Sequence, residues 1–196
     1  MNYPVKRVGT RALIVDLPDL KTVMDFYAAL SASPLEHLTD VVAAARTVLV
    51  TFDSPTATTN AVDVLAGYSP AAADMGTPRD IDIDVRYDGE DVDALATSLG
   101  MSPRELIEWH TSTTWVAAFG GFAPGFTYCV PEDASRALTI PRRDSPRTAV
   151  PAGAVALAGE FSAVYPRTSP GGWQLIGTTA TPMWDSTATP PCLLYT

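Results

Sequence analysis

Residues 120–128 read Gly-Gly-Phe-Ala-Pro-Gly-Phe-Thr-Tyr. Ordinary helices and strands rarely place three glycines and a proline among three aromatic residues. Glycine permits backbone conformations with positive φ, whereas proline fixes φ and removes a hydrogen-bond donor. The stretch therefore predicts a shaped loop whose backbone and aromatic faces line a site.

A second stretch of this kind follows at residues 169–177, which read Ser-Pro-Gly-Gly-Trp-Gln-Leu-Ile-Gly. Between the two loops, Pro141-Arg142-Arg143 and Pro146-Arg147-Thr148 each place an arginine directly after a proline. Any one of these features alone is more often a structural turn. Because they all fall within one short part of the chain, together they predict a binding site.

The composition is that of a globular protein with one large domain or two small ones. The chain has 196 residues, of which 46% are hydrophobic and 18% charged. A net charge of −9 argues against nucleic acid or an anionic membrane as partner. No apolar run approaches the roughly 20 residues of a membrane span, and no signal-peptide pattern opens the chain. We therefore expect a cytoplasmic protein.

Metal and nucleotide motifs are absent from the sequence. His37 and His110 are the two histidines, Cys129 and Cys192 the two cysteines, and none of them shows metal-ligand spacing. There is neither a P-loop motif nor a GxGxxG motif. We expect no metal and no cofactor on this chain, and any ATP used in its reaction is expected to bind another chain.

The first half of the sequence predicts a small α+β domain over residues 1–86. Periodicity and capping signals give the order β-α-β-β-α-β, which matches a ferredoxin-like arrangement. The predicted elements are a strand at 12–17, a helix at 19–30, strands at 41–45 and 47–52, a helix at 56–65 and a strand at 81–87.

The second domain, residues 87–196, is predicted to be mainly β after a helical start. Residues 89–111 look helical, and Ser102 with Glu105 forms a capping-box signature. Short β-like runs punctuated by glycine and proline then favour a sandwich or a barrel. These runs are 115–119, 149–151, 154–158, 161–165 and 173–177.

The motifs resemble those of the allophanate hydrolase subunit 1 family, which includes Kip-inhibitor-type proteins and the B subunit of 5-oxoprolinase. That pattern is a helix ending in histidine, then G-F-x-P-G-F-x-Y, P-R, P-R-x-x-V-P-x-G-x-V and Y-P-x-x-S-P-G-G-W-x-x-I-G-x-T. This chain has His110 and then matches at 121–128, 141–142, 146–155 and 165–179. It departs at 87–95, where Tyr-Asp-Gly-Glu-Asp-Val-Asp-Ala-Leu replaces a glycine-rich Y-G-G-x-x-G-P-D-L stretch.

The resemblance implies a cyclophilin-like β-barrel for the second domain and an enzyme with several subunits. It implies a partner of the allophanate hydrolase subunit 2 type, which in 5-oxoprolinase is the C-like subunit, together with a third, A-like subunit. Such an assembly opens 5-oxoproline to glutamate with ATP. Two alternatives stay open: an inhibitor that binds a sensor histidine kinase, and a carboxyltransferase-like component acting on urea-derived amides.

Two residues are candidates for proton transfer. His110 precedes the 120–128 loop and matches the family histidine, although a histidine at a helix end can simply be stabilised by the helix dipole. Asp53 follows an apolar strand, and the family tends to have an aspartate there. Its alternative role is to cap the next helix.

The substrate-binding candidates come from the two loops and the Pro-Arg steps. Arg142 and Arg147 are either surface charges, bridges to Asp144 and Glu132, or guanidinium groups that bind a carboxylate or a carboxyphosphate. Trp173 is more readily explained as a plug of the barrel, and Phe122 and Phe126 as interface anchors. The full set is Gly121, Phe122, Pro124, Gly125, Phe126, Arg142, Arg147, Gly171, Gly172 and Trp173.

Overall fold

Two segments of the chain fold as separate units, Met1–Pro78 and Arg79–Thr196, in the computed structural model, which describes residues 2–70 and 79–194. The division lies upstream of the predicted boundary near residue 86. The stretch 66–79 is rich in alanine, proline and glycine and predicts an exposed loop, most of which lies outside the described residues.

Among residues 2–70, four antiparallel strands form one sheet with two helices packed on it. The sheet order is β1-β2-β4-β3. Alternating side chains of the central strands are buried, including Leu13, Val15, Val48 and Val50, and this face lies under the helices. The elements are β1 (Val5–Val8), β2 (Ala12–Asp16), α1 (Leu20–Ala32), β3 (Leu38–Ala43), β4 (Thr47–Phe52) and α2 (Pro55–Ala66).

The second unit contains two helices followed by a mainly β region. These elements are α3 (Val92–Ser98), α4 (Pro103–Thr111), β5 (Trp115–Gly120), β6 (Thr127–Pro131), β7 (Arg147–Val150), β8 (Ala154–Ala158), β9 (Phe161–Val164), β10 (Ser169–Gly171) and β11 (Gln174–Thr178). Within residues 79–194, five strands form an antiparallel sheet in the order β11-β8-β9-β6-β5, and β7 pairs with β10 in a separate ribbon.

Both faces of the five-stranded sheet are covered. In β8, Ala154, Ala156 and Ala158 belong to a core that is rich in aromatic rings, and we call this side the aromatic face. Val155 and Leu157 point the other way, into a core shared with α3 and α4, which we call the helical face. The small alanines leave room for large rings on the aromatic face, as dense packing requires.

The predicted strand at 81–87 is wrong, and the ferredoxin-like order fails with it. Residues 81–87 do alternate between partly buried and exposed positions, as the sequence indicates. However, only Arg86 pairs with another segment, exchanging two backbone hydrogen bonds of 2.8 Å with Thr178 of the second unit. The described part of the first unit instead has the order β-β-α-β-β-α, because β1 supplies a hairpin partner that the sequence reading missed.

Two further predictions need correction in the second unit. The helix expected over 89–111 is two helices, because Gly100 adopts a φ of 70° between them. The 120–128 loop is shorter than expected, because β6 begins at Thr127 and pairs with β5. The capping box at Ser102 and Glu105 is confirmed at the start of α4.

Candidate functional site

The 120–128 loop is a compact turn with two left-handed residues. Gly121 N donates to Phe126 O at 3.1 Å, and Phe126 N donates to Ala123 O at 2.9 Å. Gly125 has a φ of 80°, and a Cβ there would lie 2.8 Å from the Cβ of Trp184, so only glycine fits without displacement. Phe122 has a φ of 63°. Such a value is strained for an aromatic residue and is most often tolerated where function requires it.

The predicted aromatic residues meet on the aromatic face. The ring of Phe126 packs edge-on against Tyr165 at 5.3 Å and against Trp173 at 5.5 Å. Phe126 and Trp173 are both buried, so they act as core residues. Phe122 packs on Phe126 at 5.2 Å, yet it is 59% exposed and forms the outer edge of the cluster, next to exposed Pro124.

The second glycine loop lies directly against this cluster. Gly171 opposes Arg147 across the β7–β10 ribbon. A Cβ on Gly171 would lie 2.2 Å from the hydroxyl oxygen of Tyr165, so this glycine permits a close approach of backbone and ring. Gly172 has only ordinary contacts at its Cβ position, and its carbonyl accepts from Arg143 N at 2.9 Å.

A buried carboxylate holds two arginines together next to the ribbon. Asp91 Oδ1 accepts from Arg143 Nη1 at 2.5 Å and from Arg147 Nη2 at 2.9 Å, while its Oδ2 accepts from Leu175 N at 2.7 Å. Arg147 also reaches exposed Glu90 at 3.1 Å. Burial alone would raise the pKa of Asp91, but hydrogen bonds from Arg147 and Leu175 and the two guanidinium charges lower it, so Asp91 is ionised at neutral pH.

Arg142, in contrast to Arg143 and Arg147, is not paired with a carboxylate among the described residues. It has no hydrogen bond or ion pair with the residues at 2–70 and 79–194. Burial raises the pKa values of Tyr128 and Tyr165, and the nearby charge of Arg142 opposes both shifts, which places this guanidinium within electrostatic reach of both phenols.

A pocket of about 460 Å³ opens beside Arg142, between α3 and the segment 141–145. We call it the arginine pocket. It is lined by Asp91, Ala94, Leu95, Ser98, Pro141, Arg142, Arg143, Asp144, Ser145 and Gln174. Its polar lining can accommodate a small charged molecule.

His110 lies on the helical face of the five-stranded sheet, opposite the aromatic cluster. Its Nδ1 is 2.6 Å from the hydroxyl of Tyr87 and its Nε2 is 3.0 Å from Oγ of Ser162. Ser162 alternates along β9 with Phe161 and Ala163 of the aromatic core, so it faces the helices. Burial lowers the pKa of His110 to about 4, which keeps the imidazole neutral at pH 7.

Asp53 belongs to the first unit and is paired with His37. Asp53 Oδ2 is 2.9 Å from Nδ1 of His37, and Asp53 N donates to His37 O at 3.0 Å. The hydrogen bond between the side chains raises the pKa of His37 and lowers that of Asp53. Ser54, not Asp53, caps α2, because its hydroxyl accepts from Ala57 N.

The structure thus gathers ten of the twelve predicted residues around one region of the second unit. Of the two proton-transfer candidates, His110 faces the helices and Asp53 is part of the first unit.

The sequence analysis did not identify two important residues. Asp91 lies in the stretch that departs from the family pattern, and Arg143 directly follows Arg142. The doublet of arginines was a visible signal, because neighbouring side chains in an extended segment point in opposite directions.

Other reactive chemistry is scarce. Among the described residues, no group of three His, Cys, Asp or Glu side chains could hold a metal ion. Burial raises the pKa of Cys129 to about 12, so its thiol stays protonated. Within residues 2–70 and 79–194, every helix is too short or too polar to cross a bilayer.

A family model described as the carboxyltransferase domain, subdomain C and D, matches residues 3–194. The chain belongs to this family. Its relatives include proteins named as the B subunit of 5-oxoprolinase, so the resemblance found in the motifs is confirmed.

The curated relatives are longer than this member of the carboxyltransferase-domain family. The chain is 41% identical over 119 residues to the B subunit of 5-oxoprolinase from Bacillus subtilis, a match covering 59% of this chain and 49% of the relative. It is 42% identical over 121 residues to the B subunit of 5-oxoprolinase from Escherichia coli O157:H7, covering 59% and 54%. The match therefore spans about half the length of these relatives.

Solved structures share the mixed α/β fold with its antiparallel sheets. The crystal structure of TTHA0988 superposes with a TM-score of 0.73 at 30% identity, covering 94% of this chain and 38% of that one. The urea carboxylase of Kluyveromyces lactis gives a TM-score of 0.64 at 15% identity, covering 93% of this chain and 19% of the other. At that identity the likeness is one of fold alone.

Proposed function

We propose that this chain is one subunit of a hetero-oligomeric, ATP-dependent hydrolase of the 5-oxoprolinase type. We also propose that the second unit of this chain is a cyclophilin-like barrel. In this proposal the assembly opens 5-oxoproline to glutamate together with a C-like partner and a third, A-like subunit. ATP binds elsewhere in the assembly. The names of the curated relatives support the assignment, and the chain alone is expected to be inactive.

The observation that carries the proposal is the unpaired Arg142 at the arginine pocket. A guanidinium without a carboxylate partner is a strong donor for the carboxylate of a small molecule, because the resulting hydrogen bonds are charge-assisted. Arg142 is therefore the proposed binding partner for the single carboxylate of 5-oxoproline.

The 120–128 loop supplies backbone donors in the proposed reaction. The N–H groups of Phe122 and Gly125 make no hydrogen bond to any described residue, whereas those of Gly121, Ala123 and Phe126 are used inside the turn. Two fixed N–H groups can stabilise the oxyanion that develops when a lactam carbonyl is attacked. The strained φ of Phe122 holds one of these donors in place.

His110 and Asp53 have different places in this proposal. Neutral His110 fixes Tyr87, and Tyr87 begins the segment that carries Asp91, so His110 acts on the site through that segment. Proton transfer by His110 or Asp53 stays a prediction. His110→Gln tests it, because a proton-transfer role requires the variant to change the pH profile of kcat and not only the stability.

Kinetics of the assembled enzyme test the carboxylate site. We expect Arg142→Ala to raise the KM for 5-oxoproline roughly 10- to 100-fold, because a hydrogen bond to a charged group is worth about 1.5–3 kcal/mol. The matched control is Arg104→Ala on α4, where the arginine is exposed and pairs only with Glu108. An unchanged KM in Arg142→Ala contradicts the site. A loss shared by both variants indicates a defect of folding or assembly.

A second candidate, the kinase inhibitor, is favoured by one observation. Phe122 and Trp184 are both exposed large aromatics and are neighbours of the Gly125 turn, which suits contact with another protein. The two candidates respond differently to mutation. Docking to a sensor histidine kinase would be weakened by Phe122→Ser and unaffected by Arg142→Ala.

A carboxyltransferase-like role is tested by replacing 5-oxoproline with a urea-derived amide in the kinetic assay of the assembled enzyme.

A further inference from the structure

Two arginines and two carboxylates line the arginine pocket, and one further pair of opposite charges is connected to them. Arg142 and Arg143 line it together with Asp91 and Asp144. Arg147 joins them through its hydrogen bond to Asp91, and Glu90 pairs with Arg147. The formal charges of these six side chains therefore cancel. A pocket built to hold a phosphate would carry an excess of positive charge instead.

Asp91 determines how the three arginines are used. Its Oδ1 takes one N–H from Arg143 and one from Arg147, and its side chain is only 6% exposed. The segment that carries it is fixed to β11, since Asp91 N donates to Leu175 O at 3.1 Å and a Cβ on Gly89 would lie 2.2 Å from that same carbonyl oxygen. The backbone of Asp91 and its Oδ2 are therefore both anchored to Leu175 of β11.

Two guanidinium nitrogens remain unused after this pairing. Arg143 Nε and Arg147 Nη1 are buried and have no hydrogen-bond partner among the described residues. Buried donors without acceptors are rare and call for an explanation. Each arginine thus keeps one buried, unused donor, while the N–H groups that face Asp91 are bonded to its Oδ1.

We propose that Asp91 is a specificity-determining residue that restricts the arginine pocket to ligands with one carboxylate and an otherwise neutral body. By committing Arg143 and Arg147, it leaves Arg142 as the single guanidinium available to a ligand. A phosphate or a dicarboxylate would bring its second negative charge close to Asp91 and Asp144. Only the identity of the ligand as 5-oxoproline, a neutral lactam with one carboxylate, rests on the proposed function.

The proposal also separates this pocket from nucleotide chemistry. Because ATP and doubly charged inorganic phosphate carry more than one negative charge, both bind the arginine pocket more weakly than a monocarboxylate does. Any nucleotide used by the assembled enzyme then binds at another place, and ATP does not compete with the carboxylate ligand here.

Anion titrations of the intact chain, followed by nuclear magnetic resonance, test the proposal. The probes are acetate, 5-oxoproline and inorganic phosphate at constant ionic strength. We expect the wild type to bind 5-oxoproline and acetate at least tenfold more tightly than phosphate. Asp91→Asn should shift this ratio by tenfold or more toward phosphate, because it removes one negative charge from the pocket and weakens the hydrogen bonds that hold Arg143 and Arg147.

Two further variants keep the result interpretable. Asp144→Asn changes an exposed side chain of the pocket, so it is expected to fold normally and to shift the ratio in the same direction by a smaller factor. Asp93→Asn, on the exposed side of α3, is the matched control and should leave the ratio unchanged.

The outcomes separate this proposal from the proposed function. If no probe binds, if the wild type prefers phosphate, or if Asp91→Asn and Asp144→Asn both leave the ratio unchanged, the assignment of Asp91 is overturned. If acetate binds with the expected selectivity but 5-oxoproline does not, the role of Asp91 stands and the 5-oxoprolinase proposal fails.

Discussion

At the scale of single residues, two neighbouring glycines have different physical reasons to be glycine. A Cβ on Gly171 would collide with the hydroxyl of Tyr165, whereas a Cβ on Gly172 finds its nearest atom, on Pro146, at 3.6 Å. We expect Gly171→Ala to lower the free energy of unfolding by about 1–3 kcal/mol, the usual cost of forcing extra volume into a packed site. Gly172→Ala should cost clearly less.

Tryptophan fluorescence during urea unfolding measures this difference. All four tryptophans belong to the second unit, so the signal reports the unit that contains both glycines. Equal destabilisation by the two substitutions would contradict the contact between Gly171 and Tyr165.

His110 makes stability depend on pH in a defined direction. Its pKa is about 4 in the folded chain and about 6.5 when exposed, so between these values the unfolded state binds more protons. Stability is therefore lost as the pH falls from about 6.5 to about 4, by roughly 3 kcal/mol in all. We expect His110→Gln to reduce this loss in urea unfolding measured across that range.

His37 provides the control for this measurement. Asp53 raises the pKa of His37, so its contribution is present below the unfolded pKa and is lost as the pH rises. His37→Gln should accordingly change the pH dependence in the opposite sense. If the stability of His110→Gln falls as steeply as that of the wild type between pH 6.5 and 4, burial does not depress the pKa of His110 as described.

The arginines show what a sequence can and cannot predict about single residues. The Pro-Arg steps predict that Arg142 and Arg147 either bind a ligand's carboxylate or pair with Asp144 and Glu132, whereas in the structure Arg143 and Arg147 pair with Asp91. To decide which of Arg142 and Arg143 is left unpaired, one must know which of them points toward Asp91. Asp91 is 52 positions away from Arg143 in the sequence. That contact depends on tertiary packing and has no local signature.

At the scale of elements, the start of α4 is determined by its capping box. Ser102 Oγ accepts from Glu105 N, and Glu105 accepts from Ser102 N in return. We expect Ser102→Ala to cost about 1 kcal/mol of stability, the usual value for a lost N-cap. Ser186→Ala, at an exposed position whose hydroxyl makes no hydrogen bond among the described residues, is the control. A loss of equal size in both variants would contradict the role of the cap.

Elements with strong local signals were predictable, and those defined by pairing were not. Strand β4 alternates cleanly, and α1, α2 and α4 carry caps that are visible in the sequence. Residues 81–87 alternate as clearly as a strand, but pairing needs a free neighbouring edge and only Arg86 finds one. Conversely, the sequence predicts a loop through Tyr128, although β6 begins at Thr127, which pairs with Gly120.

At the scale of the whole molecule, the sequence predicted one site and the structure divides its members. The glycine loops, the aromatic rings and the arginines share one region of the second unit. His110 is predicted for the site because it precedes the loop in the chain and matches the family histidine, yet it faces the helices. Which side of a sheet a residue occupies follows from strand register, and a shift of one residue reverses it. Neighbourhood in the sequence therefore gave the right unit but not the right face.

Turnover of 5-oxoproline by the assembled enzyme tests the central claim most directly. The measurement is 5-oxoproline-dependent ATP hydrolysis by the C-like and A-like partners, with this chain present, omitted, or replaced by Arg142→Ala. We predict that activity requires this chain. With Arg142→Ala, we predict that half-maximal activity requires a much higher concentration of 5-oxoproline. Activity that is the same without the chain, or no activity in the complete mixture, would contradict the proposal.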